Sequence, residues 1–412
     1  MKHIAIIGGG ISGLSVLHYL KQRFGDTVDI TLYERESAVG GTICSLKDDS
    51  CLFECGPNGF LNNQPTSLQL IDDLGMTDQL ITASSTARRR YIQINGKLNA
   101  IPTGFIAFIR SPLLSSKDKC SLITGIFKKN ISTDCSIHDY ISQRFSVRVA
   151  ESLVDPFISG IYAGDIKRLH MASAFPKLKR KGFKPSRMCS FNGGMAQIVE
   201  ALYQRYKKHI QTKAETTSMA SLQDITILST PAYAASKIVE GLNPVLAELL
   251  NQVPYAPIAV AGLLFKQNSF KKKPDGFGYL IASQEKKDVL GVLLESNVYA
   301  LRAGDGQVMM RVMLGGAHHP DITNVGEKQI LAKAVKEIED IYGLRLQPVK
   351  TFVKQWLRAI PQYEINYPQW RQSVAEQCAK TPGLYLCANY LDGISFNDCI
   401  NNAKALVEKV II

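Results

Sequence analysis

The sequence predicts an α/β chain with α+β insertions. A parallel sheet begun at the N-terminus is completed at the C-terminus, and a helical stretch and an antiparallel sheet lie between. Three observations predict it. Residues 3–33 run strand, glycine-rich turn, helix, strand. Residues 255–314 carry four β-rich runs without a long helical spacer, and residues 384–410 return to a strand, a loop and an amphipathic helix.

Residues 3–7 are a short apolar run of the kind a buried parallel strand carries. Gly8, Gly10 and Gly13 follow at G-x-G-x-x-G spacing, with Gly9 adding freedom, and helical periodicity begins at once through Leu14, Val16, Leu17 and Leu20. A second strand over 28–33 leads into Glu34, about 20 residues past the last glycine. Each part has a physical task. Gly8 permits the tight turn, Gly10 lets the backbone approach a pyrophosphate at the positive end of the helix, and Gly13 lets that helix pack against the sheet. Ile11 and Ser12 lie in the same turn and belong to the binding set, and Glu34 can accept both ribose hydroxyls. Glycine spacing alone is weak evidence; with two strands, a helix and an acid it specifies a dinucleotide. After Arg35 comes a second glycine pair, Gly40-Gly41, and then Thr42. A second close backbone approach suits a long, extended cofactor, so a Rossmann-like FAD-binding unit is favoured over an NAD one.

At 412 residues, with 45% hydrophobic and 20% charged residues, the chain has the size for two or three domains of ordinary globular composition. No apolar run reaches the ~18–20 residues that cross a bilayer. Residues 4–20 carry the glycine loop and read as structure, not as a signal peptide. The nine cysteines have no regular spacing and suit a reducing compartment. Cys51 and Cys55 are four apart, and His318-His319 has no ligand cluster nearby, so no metal is expected. The expected location is cytoplasmic, extending to the inner face of the cell membrane. The net charge of +12 is concentrated in Arg88-Arg89-Arg90, Lys128-Lys129 and a run through Lys177, Lys179, Arg180, Lys181, Lys184 and Arg187. Such clusters suit solvated loops or an acidic partner: nucleic acid, anionic lipid or a polycarboxylate. No nucleic-acid module accompanies them.

Farther along, residues 52–61 form a turn-rich loop holding Glu54, Gly56, Pro57, Asn58 and Gly59, and 68–80 has helical periodicity. Residues 90–101 read as a hairpin turning at Asn95-Gly96. From 102 to 184 the pattern is helical, broken at Ser111-Pro112 and near Ser132. It opens with Phe105, Ile106, Phe108, Ile109, Leu113 and Leu114 and continues with Lys117, Lys119, Lys128 and Lys129, as either a lid or a surface lying on membrane. Asn192-Gly193-Gly194 opens another helix, and 225–228 is a short strand. Strands are predicted at 255–265, 279–281, 289–294 and 308–314, a helix at 328–342, a strand at 384–387, a loop at 389–393 and a closing helix at 396–410. That last turn, with Asn389, Gly393 and Ile394, aims a helix N-terminus at the flavin. The domains are therefore discontinuous: cofactor-binding pieces at 1–84, 187–256 and 365–412, with inserted pieces at 85–107 and 257–364, expected to bind substrate, and at 108–186, expected to be helical and either a lid or membrane-contacting.

Taken together, Phe53-Glu54-Cys55-Gly56-Pro57, the segment 98–104, the segment 155–165 (Asp155-Pro156-Phe157 to Ala163-Gly164-Asp165) and Phe175-Pro176-Lys177-Leu178 resemble the flavin-dependent protoporphyrinogen and coproporphyrinogen oxidases of haem biosynthesis. The resemblance continues through 276–280, 290–292, Gly315-Gly316, 359–363 and 389–400, in family order over nearly the whole chain. It implies an FAD domain, an antiparallel substrate domain and a helical domain that often contacts membrane. It places FAD at Gly8, Gly9, Gly10, Ile11, Ser12, Gly13, Glu34, Arg35, Gly41, Thr42, Gly56, Pro57, Asn58, Gly59, Asn389, Gly393, Ile394, Ser395 and Phe396. It also places a substrate propionate at Arg90, and Asn58 and the Gly164 carbonyl near the macrocycle. The implied reaction is oxidation of protoporphyrinogen IX to protoporphyrin IX, six electrons in three flavin cycles, with dioxygen as acceptor and hydrogen peroxide as product. Coproporphyrinogen III is the alternative substrate, and the product passes to the next haem-pathway enzyme. No catalytic side chain is needed, because pyrrole protons go to solvent. The chain departs from the family at 210–228, too short for the usual meander, so the adenine contact is unassigned there; Ala388 and Tyr299-Ala300 also depart. The rivals are another FAD oxidase of the amine-oxidase fold and a non-catalytic flavin or tetrapyrrole carrier.

Overall fold

In the computed structural model, which describes residues 2–85, 87–128, 131–175, 186–218 and 223–410, strand His3–Ile7 is the centre of a five-stranded sheet. Its order is Ile210–Gln211, Asp29–Tyr33, His3–Ile7, Ile225–Leu228, Leu384–Leu386, parallel throughout. Alternation along the central strand explains the three layers. Ile4 and Ile6 pack with Leu14, Leu17, Ile198 and Ile400 on one face, and Ala5 and Ile7 with Ala232, Leu246, Val374 and Tyr390 on the other. Helices Ile11–Phe24, Ala196–Tyr206 and Phe396–Lys409 thus cover one side, and Ala232–Val239, Pro244–Asn251 and Tyr367–Ala379 the other. A strand buried on both faces has no polar positions, which is why its sequence is an unbroken apolar run. Ile4, Ile6, Leu14 and Leu17 are fully buried, each contributing about 1.5–3 kcal/mol.

The second sheet has seven strands, in the order Lys350–Pro361, Tyr255–Lys266, Gln307–Gly315, Val289–Leu293, Gly278–Ile281, Arg90–Ile94, Lys97–Ala100. Every pairing is antiparallel except Gly278–Ile281 with Arg90–Ile94. That parallel pair joins the early hairpin to strands almost two hundred positions later. The hairpin turns through Asn95 (φ 54°) and Gly96 (φ 69°), both left-handed as a tight two-residue connection requires. Helix Glu327–Tyr342 covers one face of this sheet through Ile330, Ala334 and Ile338.

Several expectations are corrected. The 68–80 helix is shorter and earlier, Pro65–Asp73, because Gly75 at φ 68° ends it; Leu80–Thr82 is instead a strand beside Met188–Phe191. Strand Lys350–Pro361, which sequence reading missed, is an edge strand with Lys350, Lys354 and Arg358 among its residues, so no clean apolar alternation announces it. Helices Ala232–Val239, Pro244–Asn251 and Tyr367–Ala379 were also not predicted; the last two begin with Pro in the first turn.

The helical stretch contains Phe105–Arg110, Ser116–Gly125, Ile137–Arg144 and Asp155–Tyr162, the second and third capped by Ser115 and Ser136. Its apolar start divides. Leu113 and Leu114 are buried, whereas Ile106, Ile109, Ile123, Ile126 and Phe127 are exposed. The basic run 177–184, the Pro176–Leu178 part of the family-like stretch, and Lys129 lie outside the described residues. Among the described residues, no helix is long and apolar enough to cross a membrane.

Candidate functional site

Three glycine-bearing loops meet at the end of the parallel sheet. Gly8, at φ 109°, turns out of the first strand, and its amide bonds the Tyr33 carbonyl at 2.8 Å. A Cβ on Gly13 would overlap the Gly8 carbonyl oxygen, so that glycine is required for helix and strand to approach. Gly10 is different: a Cβ there would meet nothing within 4 Å. It caps helix Ile11–Phe24 without any side-chain hydrogen bond, so no capping side chain competes for the first-turn amides of this long helix. Such a cradle fits a pyrophosphate. Ile11 is half-buried and Ser12 buried behind it.

The second loop is tied to the first by the Gly40 amide, which donates to the Gly9 carbonyl at 2.8 Å. Gly41 lies with its Cβ position 3.5 Å from the Gly10 Cα, and Gly41 and Thr42 are exposed. The third loop, 56–59, rests on the second: a Cβ on Gly56 would overlap the Thr42 carbonyl. At its far end Gly59 abuts the Tyr299 hydroxyl and the Cys189 carbonyl. Pro57 and Asn58 are half-buried between these anchors, and the Asn58 amide nitrogen is buried without a partner among the described residues. An orphaned donor beside the glycine loops is what a bound cofactor or substrate would satisfy.

Glu34 is less free than its sequence position suggests. Its carboxylate accepts from the Gly9 amide at 2.7 Å and the Glu36 amide at 2.9 Å, which fixes its direction and leaves lone pairs for ribose. Arg35 is exposed and pairs with Glu36 at 3.0 Å. The shortened stretch finds a place here. The Gln211 carbonyl accepts from the Glu34 amide at 2.8 Å, and the Ala214 amide donates back to Glu34 at 2.9 Å. Residues 211–214 therefore flank Glu34 where the adenosine end would lie.

From the C-terminal side, two stacked tyrosines, with rings 4.2 Å apart, hold the loop before the last helix. Tyr363 donates to the Asn389 carbonyl at 2.7 Å and accepts from the Gly393 amide at 2.8 Å. Tyr367 accepts from the Asp392 amide at 3.0 Å. Asp392 (φ 55°) and Gly393 (φ 127°) make the turn, and Ser395 caps helix Phe396–Lys409 in a reciprocal arrangement with Asp398. Phe396 packs on Phe60 at 4.8 Å, and Ile394 joins the cluster around Ile92, Tyr162 and Tyr363. Tyr363 and Tyr367 were not singled out from sequence; 359–363 was noted only as a family-like stretch, because nothing local shows what a tyrosine hydroxyl reaches.

The substrate-side residues lie on the neighbouring sheet. Arg90 is exposed, opposite Gly278 in register, with its guanidinium carbon 4.6 Å from the Phe277 ring centroid. Strand alternation puts it on the face of Ile92, toward the helical stretch, not that of Tyr91, which faces helix Glu327–Tyr342. Arg89 pairs with Asp275 at 3.2 Å, whereas Arg90 has no carboxylate partner among the described residues. Phe277 packs in one cluster with Tyr299, which touches Gly59, and this connects Arg90 to the third loop. Gly164 is buried after the left-handed Ala163 (φ 48°), beside the Gln362 side chain, and its carbonyl is 3.5 Å from the Ser159 hydroxyl. Tyr299 uses its hydroxyl to reach the Cys189 carbonyl at 3.3 Å.

Beneath the third loop lies a group of charges invisible in the sequence. Glu54, Glu295, Arg302 and Arg311 are all buried. Arg302 pairs with Glu54 at 3.3 Å, and Glu54 also accepts from the Met195 amide at 2.8 Å and the Ser45 hydroxyl at 2.6 Å. Arg311 donates to the Gly56 carbonyl, and the Trp356 indole donates to the Cys55 carbonyl at 2.9 Å. Among the described residues, both Glu295 oxygens lack a hydrogen-bond partner; burial pushes this acid up to about 7, opposed by the charges of Arg311 and Arg302. Burial likewise lowers Arg311.

Residues 11–411 match the family model of the flavin containing amine oxidoreductases. The chain is 25% identical to coproporphyrinogen III oxidase of Bacillus subtilis, covering 100% of this chain and 98% of that protein. It is 24% identical to the Staphylococcus aureus enzyme of the same name, covering 100% and 99%. It is 23% identical to protoporphyrinogen oxidase 2 of Arabidopsis thaliana, covering 100% and 94%. A crystal structure of an Exiguobacterium protein, assigned as a protoporphyrinogen oxidase, superposes with a TM-score of 0.87 at 20% identity, over 99% and 98% of the two chains. A reduced UDP-galactopyranose mutase shares the fold at 12% identity, with a TM-score of 0.75 over 99% and 93%.

Proposed function

Given that the chain belongs to the flavin containing amine oxidoreductase family, whose cofactor here is FAD, we propose that it is a porphyrinogen oxidase converting protoporphyrinogen IX to protoporphyrin IX with dioxygen as acceptor. The observation that carries this reading is Arg90. It is an exposed guanidinium backed by an aromatic ring, on the sheet face turned toward the helical stretch, and is suited to a carboxylate on an otherwise apolar substrate. The names of relatives matched over nearly their whole lengths support a porphyrinogen oxidase, and that of the Arabidopsis relative the protoporphyrinogen substrate.

Bound FAD supplies the electron sink for each two-electron oxidation. The chain's own residues bind, orient and exclude water. Amides at Gly10, Ile11 and Ser12 would hold the pyrophosphate, and Glu34 the ribose. The 56–59 loop and the 389–395 turn, with the Ser395-capped helix behind it, would hold the flavin end of the cofactor. Arg90 holds one propionate through two parallel hydrogen bonds and so fixes the direction of the macrocycle. Apolar Ile258, Met313 and Ile360, clustered with Ala163 beside Gly164, supply a dry wall. Pyrrole protons leave to solvent, and no side chain is asked to act as base.

Coproporphyrinogen III is the second reading, favoured by the names of the two bacterial relatives. One experiment separates the cases: anaerobic mixing of the purified flavoprotein with each porphyrinogen, then admission of air. Bleaching of the flavin, followed by oxygen uptake and porphyrin fluorescence, is expected with the true substrate. Porphyrin formed without flavin bleaching would indicate a carrier. No bleaching with either substrate would return the protein to the other oxidase chemistries of its fold.

A further inference from the structure

We propose that Cys44 and Cys55 form a peroxide-responsive dithiol whose oxidation to a disulfide staples together the two loops that close on the flavin. The inference rests on the reading that the 40–42 and 56–59 loops hold FAD. Strands Ser45–Lys47 and Leu52–Glu54 pair antiparallel with Ser45 opposite Glu54. One step outward places Cys44 opposite Cys55, and the Cys55 amide donates to the Cys44 carbonyl at 2.8 Å. Residues opposed in this way have Cα atoms ~5.5 Å apart, inside the ~4.4–6.8 Å window that a disulfide needs. Opposed residues also share a face, and both cysteines pack in one cluster with Phe53. They are free thiols, Cys44 half-buried and Cys55 buried. Burial, then the hydrogen bond its S–H donates to Cys44, push the Cys55 thiol up to about 12.

The position matters more than the pair. Cys44 follows Thr42 by two residues, and Cys55 directly precedes Gly56, whose backbone lies against the Thr42 carbonyl. Trp356 holds the Cys55 carbonyl and Arg311 the Gly56 carbonyl, so this point of the chain is fixed from outside while its thiol faces Cys44. A bond between the sulfurs closes the base of both loops without moving either strand out of register.

The oxidant is a hydroperoxide, which an oxygen-reducing flavoenzyme would itself generate. Attack by the Cys44 thiol sulfur on a peroxide oxygen breaks the O–O bond, giving a sulfenic acid and one water. Attack by the Cys55 sulfur on the Cys44 sulfur then forms S–S and breaks S–O, and the thiol proton leaves with hydroxide as a second water. In sum, two thiols and one hydrogen peroxide give one disulfide and two waters.

The test uses the FAD-loaded protein treated with hydrogen peroxide, quenched with catalase, alkylated in denaturant without reductant and digested. A linked fragment joining the Cys44 and Cys55 peptides is expected. It should be two hydrogens lighter than the separate peptides, reversed by dithiothreitol, and absent in C44S. FAD should leave the oxidised protein roughly tenfold more slowly than the reduced one, because the loops are ordered in advance. The proposal is overturned if both cysteines remain alkylated while the exposed Cys120 is oxidised, or if the linked fragment forms and FAD release is unchanged. Reduced protein is assayed in parallel with porphyrinogen. Loss of the dithiol result alone, with turnover intact, would leave the porphyrinogen reading standing. Reduced protein that binds no FAD would remove both.

Discussion

Replacing Arg311 with Met isolates the buried charges from the loop they support. At pH 6, Glu295 is mostly protonated, since burial lifts it to about 7. The variant then loses chiefly the charge-assisted hydrogen bond to the Gly56 carbonyl, worth ~1.5–3 kcal/mol. At pH 8 the balance changes. Wild-type Glu295 is ionised and opposed by two arginines; in the variant only Arg302 faces Glu54 and Glu295. The sign follows from linkage. An acid whose folded pKa is raised contributes stability that is present below its unfolded value of 4.5 and lost as pH rises through about 7. Arg311 lowers that folded value, so its removal raises it further and the loss grows on the alkaline side. The total penalty at pH 8 should approach the ~3–5 kcal/mol of a broken buried pair. Thermal unfolding of R311M against wild type at the two pH values, with FAD dissociation constants measured by fluorescence, is the assay. Adding E295Q to R311M should remove the pH dependence and restore most of the alkaline loss. A defect below ~1 kcal/mol, or one equal at pH 6 and pH 8, would refute the coupling; unchanged FAD affinity would refute the role of the Gly56 carbonyl.

Four further outcomes are expected. Gly10→Val should yield folded protein without flavin, because the side chain would project into the open space beside the uncapped helix start, and denatured wild type should release its yellow colour fully into the supernatant. R90A should raise the Michaelis constant for a porphyrinogen by very roughly ten- to a hundredfold, the factor for ~1.5–3 kcal/mol, with the flavin spectrum unchanged; unaltered kinetics would return Arg90 to a solvated role. The exposed Ile106, Ile109, Ile126 and Phe127, beside Lys117 and Lys119, should carry the protein into the floating fraction with anionic vesicles at low salt and release it at high salt; each cation near the surface adds ~1 kcal/mol.

The sequence by itself determined what depends on neighbours a few residues apart. The glycine turn, the first helix, the hairpin at Asn95-Gly96 and the closing helix are local patterns, each readable because periodicity or a left-handed position constrains the residue types directly. Tertiary structure alone decided what depends on residues far apart in the chain. Lys350–Pro361 becomes a strand because Tyr255–Lys266 offers it a ladder, not because its own residues demand one. Glu54, Glu295, Arg302 and Arg311 read singly as surface charges; folding buries them together, where each charge is tolerable only because the others are present. Tyr363 and Tyr367 acquire their task only when the last loop returns beside them, and the short 210–214 stretch when it crosses Glu34. Local sequence encodes the backbone's preferences, whereas the partner of a side chain is set by long-range packing, which no single window of residues contains.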